Sequence, residues 1–229
     1  MTRISFISDT HNKHKQITND LPGGDIIIHS GDISSMGYHH EIVEFCKWFH
    51  HLPGYKHKVM IAGNHDFGFE KLPEESKEAV ERYPRVKYLQ DNMINLDGIK
   101  IWGSPWQPEF LNWAFNLPKN GDELKSKWDM IPDNVNLDIL ITHGPPFGHL
   151  DVVIGRTDHL GCELLVDRLK IVKPKIHVFG HIHSGYGMME YDDTLFINAS
   201  VLNEQYYYTN TPITIDYDFS TRTWEIVDN

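Results

Sequence analysis

Five polar clusters stand out in this chain of 229 residues: Ser8-Asp9-Thr10-His11, Ser30-Gly31-Asp32, Gly63-Asn64-His65-Asp66, Thr142-His143-Gly144-Pro145 and Gly180-His181-Ile182-His183. Between them they offer oxygen donors from Asp9, Asp32 and Asn64 and imidazoles from His11, His143, His181 and His183. That is too many ligands for one metal ion. Hard carboxylate and amide oxygens mixed with borderline imidazoles suit Mn²⁺, Fe or Zn²⁺, with Mn²⁺ the expected ion in vitro, and the absence of thiolate argues against a structural zinc site. Two ions sharing these donors need a bridging carboxylate, for which Asp32 is the expected residue. A pair of ions about 3.5 to 4 Å apart clamps a phosphoryl group, lowers the pKa of a bridging water and stabilises both oxygens of an in-line displacement. The donor set therefore points to phosphoester hydrolysis by attack of a metal-bridging hydroxide. Glycines beside the ligands permit tight turns and close backbone approach.

His65 is not needed as a ligand. An imidazole held near the leaving oxygen can donate a proton or stabilise developing charge, and Asp66 could orient its ring. The plainer reading makes His65 and Asp66 a turn pair that satisfies loop backbone. An isolated Asp-x-His or His-x-His is more often surface polarity than a metal site, but five clusters at strand ends argue jointly for chemistry.

The elements that must bring these clusters together follow from hydrophobic periodicity. Short apolar runs predict strands at Ile4 to Ser8, Asp25 to His29, Lys58 to Ala62, Lys100 to Trp102, Ile139 to Thr142 and His177 to Phe179. Helices are predicted at His40 to His51, where Ile42, Val43, Phe45, Cys46 and Phe49 share one side, at Glu74 to Tyr83 and at Cys162 to Lys170. The tail from Leu195 to Val227 reads as further strands joined by short turns. Alternating strands and helices imply a largely parallel α/β sheet, which binds ligands at the carboxyl ends of its strands. Each polar cluster follows such a run, so five loops are expected to converge on one rim.

A single domain over residues 1–229 is the expectation, since the length suits one α/β core and no repeat, linker or low-complexity stretch interrupts it. With 40% hydrophobic and 23% charged residues the chain is too apolar for disorder and too interrupted to span a membrane. A net charge of -11 argues against nucleic acid as the main partner. A small anionic phosphoester stays compatible, because two cations reverse the field inside a cleft. Cys46 and Cys162, both in predicted helices, read as buried free thiols, and the N-terminus runs straight into an apolar strand with no leader. Both features fit a cytoplasmic location.

The remaining members of the 15 histidines have plainer roles. His39 and His40 fit a helix start, while His50 and His51 fit a helix end, where the macrodipole favours cations. His29 and His177 read as satisfied core residues, and His14, His57 and His159 as surface. Near the rim, Asn64 and His65 are expected to touch substrate, with Trp106, Asn116 and His149 as further candidate contacts, Trp106 as a platform for a nucleobase. Trp102, Trp113 and Phe115 read as core packing, and Tyr206-Tyr207-Tyr208 as an alternating structural strand.

The ordered set Asp9-x-His11, Gly31-Asp32, Gly63-Asn64-His65-Asp66, Thr142-His143-Gly144 and Gly180-His181-x-His183 resembles the calcineurin-like metallophosphoesterase superfamily in order and spacing. The resemblance implies one metal on Asp9, His11, Asp32 and His183 and a second on Asp32, Asn64, His143 and His181. It also implies a four-layer αββα sandwich of two mixed sheets flanked by helices. Gly103-Ser104-Pro105-Trp106, Phe115-Asn116-Leu117-Pro118, Thr142-His143-Gly144-Pro145-Pro146, Gly161-Cys162-Glu163-Leu164-Leu165, Lys175-Ile176-His177-Val178-Phe179-Gly180 and Ile197-Asn198-Ala199-Ser200 look like the metallophosphoesterase domain-containing branch. That branch implies a cyclic or linear nucleotide as substrate. It also includes low-turnover nucleotide-binding members in which a ligand histidine is replaced. Here His181 and His183 are both present, which favours an enzyme over a regulatory binder, and a nuclease acting on nucleic-acid ends is the third reading. Many superfamily members continue the second motif as Gly-Asp-x-x-Asp. This chain has Gly31-Asp32-Ile33-Ser34-Ser35, a departure that touches the orientation of His65 and leaves the metal ligands intact.

Overall fold

The strands of this chain are apolar on both faces, a property that requires a partner layer on each side. A computed structural model describes residues 1–227. In its first half, β1 (Thr2–Ile7), β2 (Gly24–His29), α1 (His39–His51), β3 (Tyr55–Met60), α2 (Phe67–Lys71), α3 (Pro73–Glu81) and β4 (Val86–Tyr88) build parallel pairs in the order β1, β2, β3, β4. The chain then passes to a second sheet through β5 (Asn92–Leu96), β6 (Ile99–Ser104), the short β7 (Gln107–Pro108) and β8 (Asn116–Leu117), α4 (Asp122–Asp129), β9 (Ile139–Thr142), α5 (Glu163–Val172), β10 (Ile176–Phe179), β11 (Gly187–Tyr191) and β12 (Thr194–Asn198). Here β6, β9, β10 and β12 run parallel, with β5 and β11 antiparallel at the edges. Finally β13 (Ile213–Asp218) returns to pair antiparallel with β1, and β14 (Thr223–Ile226) flanks it. Among the described residues this gives two mixed six-stranded sheets.

Period-two alternation sorts the apolar side chains into three layers. Ile4, Phe6, Ile26, Ile28 and Val59 of the first sheet meet Ile101, Ile139, Ile141, Val178 and Ile197 of the second in one central core. Their neighbours point outward. Ile7, Ile27 and Met60 pack on Ile42, Phe45 and Phe49 of α1 and Ala79 and Val80 of α3. On the far side, Trp102, Leu140, Phe179 and Phe196 pack on Leu124 and Trp128 of α4 and Leu165 and Leu169 of α5. Helix, sheet, sheet and helix stack as the expected αββα sandwich, each buried Leu, Ile or Phe side chain contributing about 1.5–3 kcal/mol before entropy is counted.

Three regions depart from the expectation. Strands β4 and β5 and helix α4 lack a periodic signal: α4 buries only Leu124 and Trp128, one turn apart on an otherwise polar segment. The tail does form strands β12, β13 and β14, but β12 and β13 are joined by a loop over residues 199–212 rather than by a short turn. Within it Tyr206 takes a left-handed φ of 61°, which a strand cannot accommodate. Cys46 and Cys162 are free and buried, Cys162 at the N-cap of α5 rather than within it. Among the described residues no helix is long and apolar enough to cross a membrane.

The two sheets are stitched together at one end. Ser8, just past β1, bridges Ser200, just past β12, and the Val201 N–H donates to the Ser8 carbonyl at 3.1 Å. The loops after β1, β2, β3, β9 and β10 all leave the sheets beside this seam.

Candidate metal centre

Placing carboxylates at the seam requires unusual backbone. Asp9, His11 and Asp32 adopt φ of 54°, 39° and 56°, a region that costs a non-glycine residue about 1–3 kcal/mol. The two loops hold each other there: Asp9 N–H donates to Gly31 O at 3.0 Å, His11 N–H to Asp32 O at 3.1 Å and Asn12 N–H to Ile33 O at 3.2 Å. From the second sheet, the His181 N–H meets both Asp9 carboxylate oxygens at 3.1 and 3.0 Å, with its own φ at 66°. Two glycines permit the approach. A Cβ on Gly180 would sit 1.9 Å from Asp9 Oδ2, and one on Gly63 would sit 2.3 Å from Asp32 Oδ1.

The seven expected ligands meet in one cluster. Asn64 Oδ1 lies 2.9 Å from His143 Nε2 and 2.8 Å from His181 Nδ1. Asp32 Oδ2 lies 3.4 Å from His143 Nε2 and 3.6 Å from His11 Nε2, and Asp9 Oδ1 lies 3.5 Å from His183 Nε2. Donor atoms of Asp9, His11 and His183 fall within 4.8 Å of one another, as do those of Asp9, Asp32 and His143. Asp32 thus stands between the Asp9–His11–His183 group and the Asn64–His143–His181 group. Backbone carbonyls aim two of the rings. His143 Nδ1–H donates to Ser30 O at 3.0 Å and His183 Nδ1–H to Asn203 O at 2.9 Å, which leaves each Nε2 facing the cluster.

Charge in the cluster is balanced between carboxylates and imidazoles. Burial raises the Asp9 and Asp32 carboxyls, but the surrounding imidazoles outweigh it and hold both below the ordinary carboxylate range. Burial pushes His143 and His183 down, yet Asp32 and Asp9 respectively lift them to about 9. Burial dominates at His11 and His181, which fall to about 4. His11 is 5% exposed, and neither ring nitrogen has a hydrogen-bond partner. Its Nε2, 3.6 Å from an Asp32 oxygen and 4.0 Å from an Asp9 oxygen, is a buried lone pair with no hydrogen-bond partner beside two carboxylates, so the residues present fit a dinuclear metal group.

His65 comes to the same place. A ring nitrogen lies within 4.8 Å of donor atoms on His11 and Asp32, and its backbone N–H donates to Asp32 Oδ1 at 2.8 Å. Asp66 does not orient that ring. Its buried carboxylate accepts from Gly63 N at 2.8 Å, Ile33 N at 3.2 Å, Ser34 N at 3.0 Å and Ser34 Oγ at 2.5 Å, tying two loops together, while burial and the charge of Asp32 raise its pKa to about 7. The ring of His65 is instead directed by Nδ1–H donating to the Ser35 carbonyl at 2.8 Å, so the backbone of Ser35 serves where the family pattern has a carboxylate.

The other expected substrate contacts are engaged by the protein's own groups. The indole N–H of Trp106 donates to Asp91 at 2.8 Å, and Lys127 Nζ covers its ring at 4.3 Å. Asn116 spends its amide on the carbonyls of Phe110 and Leu111 at 2.9 and 3.1 Å, holding the loop between β7 and β8. His149 packs 4.2 Å from the Phe196 ring in a separate groove on the outer face of the second sheet, with Met189 and Tyr191. His14 is buried rather than on the surface, wedged against Phe45 and Trp48.

Several residues not read from sequence as ligands or substrate contacts also touch the cluster. Tyr206 sets its ring 4.8 Å from His11 and 5.3 Å from His183, edge to face. Ser200 Oγ–H donates to Asp9 Oδ2 at 2.9 Å. The exposed ring of Phe110 stands 6.0 Å from that of His181, and Trp113, read from sequence as core, is only partly buried and stacks on His65.

The αββα sandwich and the donor cluster at its seam define a class, and a family model agrees: that of calcineurin-like phosphoesterases matches residues 2–185, so the chain belongs to that family and is a metal-dependent phosphoesterase. The family is dinuclear-metal dependent. Within it, the chain is 43% identical over 94% of its length to metallophosphoesterase domain-containing protein 1 of Homo sapiens, 71% of which is covered, and equally so to the Mus musculus protein. Among solved structures, TT1561 of Thermus thermophilus superposes with a TM-score of 0.64 at 15% identity, over 99% of this chain and 98% of that one, a likeness of fold.

Proposed function

We propose that the chain hydrolyses a phosphodiester or phosphomonoester of a small molecule, with a cyclic or linear nucleotide as the substrate class. The observation that carries this reading is the convergence of donors from five strand-end loops on one buried cluster with Asp32 between its two groups. In this reading Asp9, His11, Asp32 and His183 hold one ion, and Asp32, Asn64, His143 and His181 the other, Mn²⁺ in vitro and Fe or Zn²⁺ as alternatives. Such a pair supplies Lewis acidity and a water of lowered pKa.

The protein supplies the rest. Carbonyls of Ser30 and Asn203 fix the rings of His143 and His183, and Ser200 fixes Asp9. His65 has its Nδ1–H engaged by the Ser35 carbonyl, so Nε2 is the free nitrogen, and in the imidazolium form it carries the proton that it gives to the leaving oxygen, which leaves the ring neutral. The exposed aromatic rings of Phe110 and Tyr206 beside a polar centre suit a nucleobase, because a flat ring stacks on either.

Metal analysis of the purified chain, joined to a turnover screen of nucleotides, cyclic nucleotides and phosphosugars with Mn²⁺, tests the reading. Turnover of at least one nucleotide with two ions per chain is the expected result. Tight nucleotide binding without turnover would replace it by a regulatory binder, and cleavage of nucleic-acid ends whose binding is lost in moderate salt would replace it by a nuclease.

A further inference from the structure

His65 has one hydrogen bond to hold its ring, and one is not enough. The bond from Nδ1 to the Ser35 carbonyl fixes a single ring atom, while the torsion that sets the ring plane of a histidine is broad and roughly two-fold. The second constraint comes from Trp113, whose ring lies 4.0 Å from that of His65 at an interplanar angle of 28°. His11 adds an edge contact to the same ring at 4.6 Å and 83°.

Trp113 is itself firmly placed. It lies in the loop between β7 and β8, and the next residue, Ala114, donates its N–H to the Asn64 carbonyl at 3.0 Å. Phe115 N–H donates to Glu70 Oε1 at 2.7 Å, and Phe67 packs 5.8 Å from the Trp113 ring. The segment 113–115 is therefore bonded to the loop that carries Asn64 and His65, so the indole and the imidazole move as one unit. Trp113 keeps part of its surface exposed, unlike its fully buried neighbours Ala114 and Phe115.

We propose that Trp113 is a positioning residue for His65, holding the imidazole in the plane that presents its free nitrogen to the leaving oxygen. This inference rests on the hydrolytic role given to His65 above. It explains how the ring is kept in place with a backbone carbonyl, that of Ser35, as its one hydrogen-bond partner.

The test uses the full chain loaded with Mn²⁺ and two diesters, bis(4-nitrophenyl) phosphate, whose leaving group needs little protonation, and diphenyl phosphate, whose leaving group needs more. Trp113→Ala is expected to keep its metal and its KM while losing about 10- to 100-fold in kcat on diphenyl phosphate, the size of effect that misplacing a reacting group produces. The loss should be smaller on the nitrophenyl ester, Trp113→Phe should recover most of it, and the His65→Ala/Trp113→Ala double variant should be no slower than His65→Ala alone. Unchanged kcat in Trp113→Ala, equal losses on both esters, or multiplicative losses in the double variant would overturn the proposal. Failure of the underlying reading shows earlier, as a wild-type chain that turns over neither ester or a His65→Ala variant that matches it, and either result removes the proposal as well.

Discussion

The ligand residues carried by the two sheets are positioned by different means. On the first sheet, Asp9, His11 and Asp32 reach the centre through left-handed backbone, and loop-to-loop hydrogen bonds hold them there. On the second sheet, His143 follows directly from β9 on ordinary backbone, and a carbonyl 113 residues away aims its ring. His181 is the exception on that side, left-handed where its N–H meets Asp9. At Asp9 and Asp32 a short carboxylate is carried in by its backbone, whereas the His143 imidazole extends further and needs only its ring rotated. Beneath the two groups the construction repeats. His29 Nε2 lies 2.9 Å from Thr10 Oγ1 in the first sheet, and His177 Nε2 lies 2.9 Å from Thr142 Oγ1 in the second. Thr142 donates to Gly144 O, so His177 must donate to Thr142, and its Nδ1 is left bare, whereas His29 Nδ1 accepts from Gly31 N–H at 3.3 Å.

This contrast can be broken most severely at Asp32, which serves both groups. Asp32→Ala is expected to lose both ions and about 10⁴-fold in kcat, the stabilisation that a metal pair supplies to developing charge; metal analysis that still finds two ions would make the groups independent. His65→Ala should keep both ions and lose about 10²- to 10³-fold in kcat, as for a general acid, and normal turnover would cancel its role. Ser200→Ala removes the hydroxyl that orients Asp9 and should weaken retention at the first group about 10- to 100-fold in a chelator titration, with the second group unaffected. The mildest effect sharpens the repeat beneath the site. Burial holds His29 and His177 neutral in the folded chain down to about 3, while an unfolded histidine takes up its proton near 6.5. Below that pH the unfolded state binds more protons, so stability falls as the pH drops from about 6.5 towards 3, and the urea midpoint should be lower at pH 5 than at pH 7.

Periodicity made the strands and the convergence of their loops legible, because short apolar runs end in polar clusters and Asp9, Asp32, Asn64, His143 and His181 mark those ends, whereas the second sheet of the sandwich came only from the family resemblance. The surroundings of the cluster were not legible. Tyr206 and Asn203 reach it from a loop whose path depends on the bridge between Ser8 and Ser200, and no local pattern announces that bridge. Trp113 reads as core in isolation because its partner His65 lies far earlier in the chain. Asp66 illustrates the converse, since its place beside His65 suggests chemistry while its carboxylate is occupied by four backbone and hydroxyl donors from neighbouring loops.

The stitch between Ser8 and Ser200 also sets a schedule. Asp9 leaves the ribosome long before Ser200 and Asn203, yet these two supply the hydroxyl that steadies it and the carbonyl that aims His183. A nascent chain that has grown only as far as β4 could stack its first four strands but could not complete the donor cluster. The cluster is therefore whole only after β12 and the loop that follows it have been made.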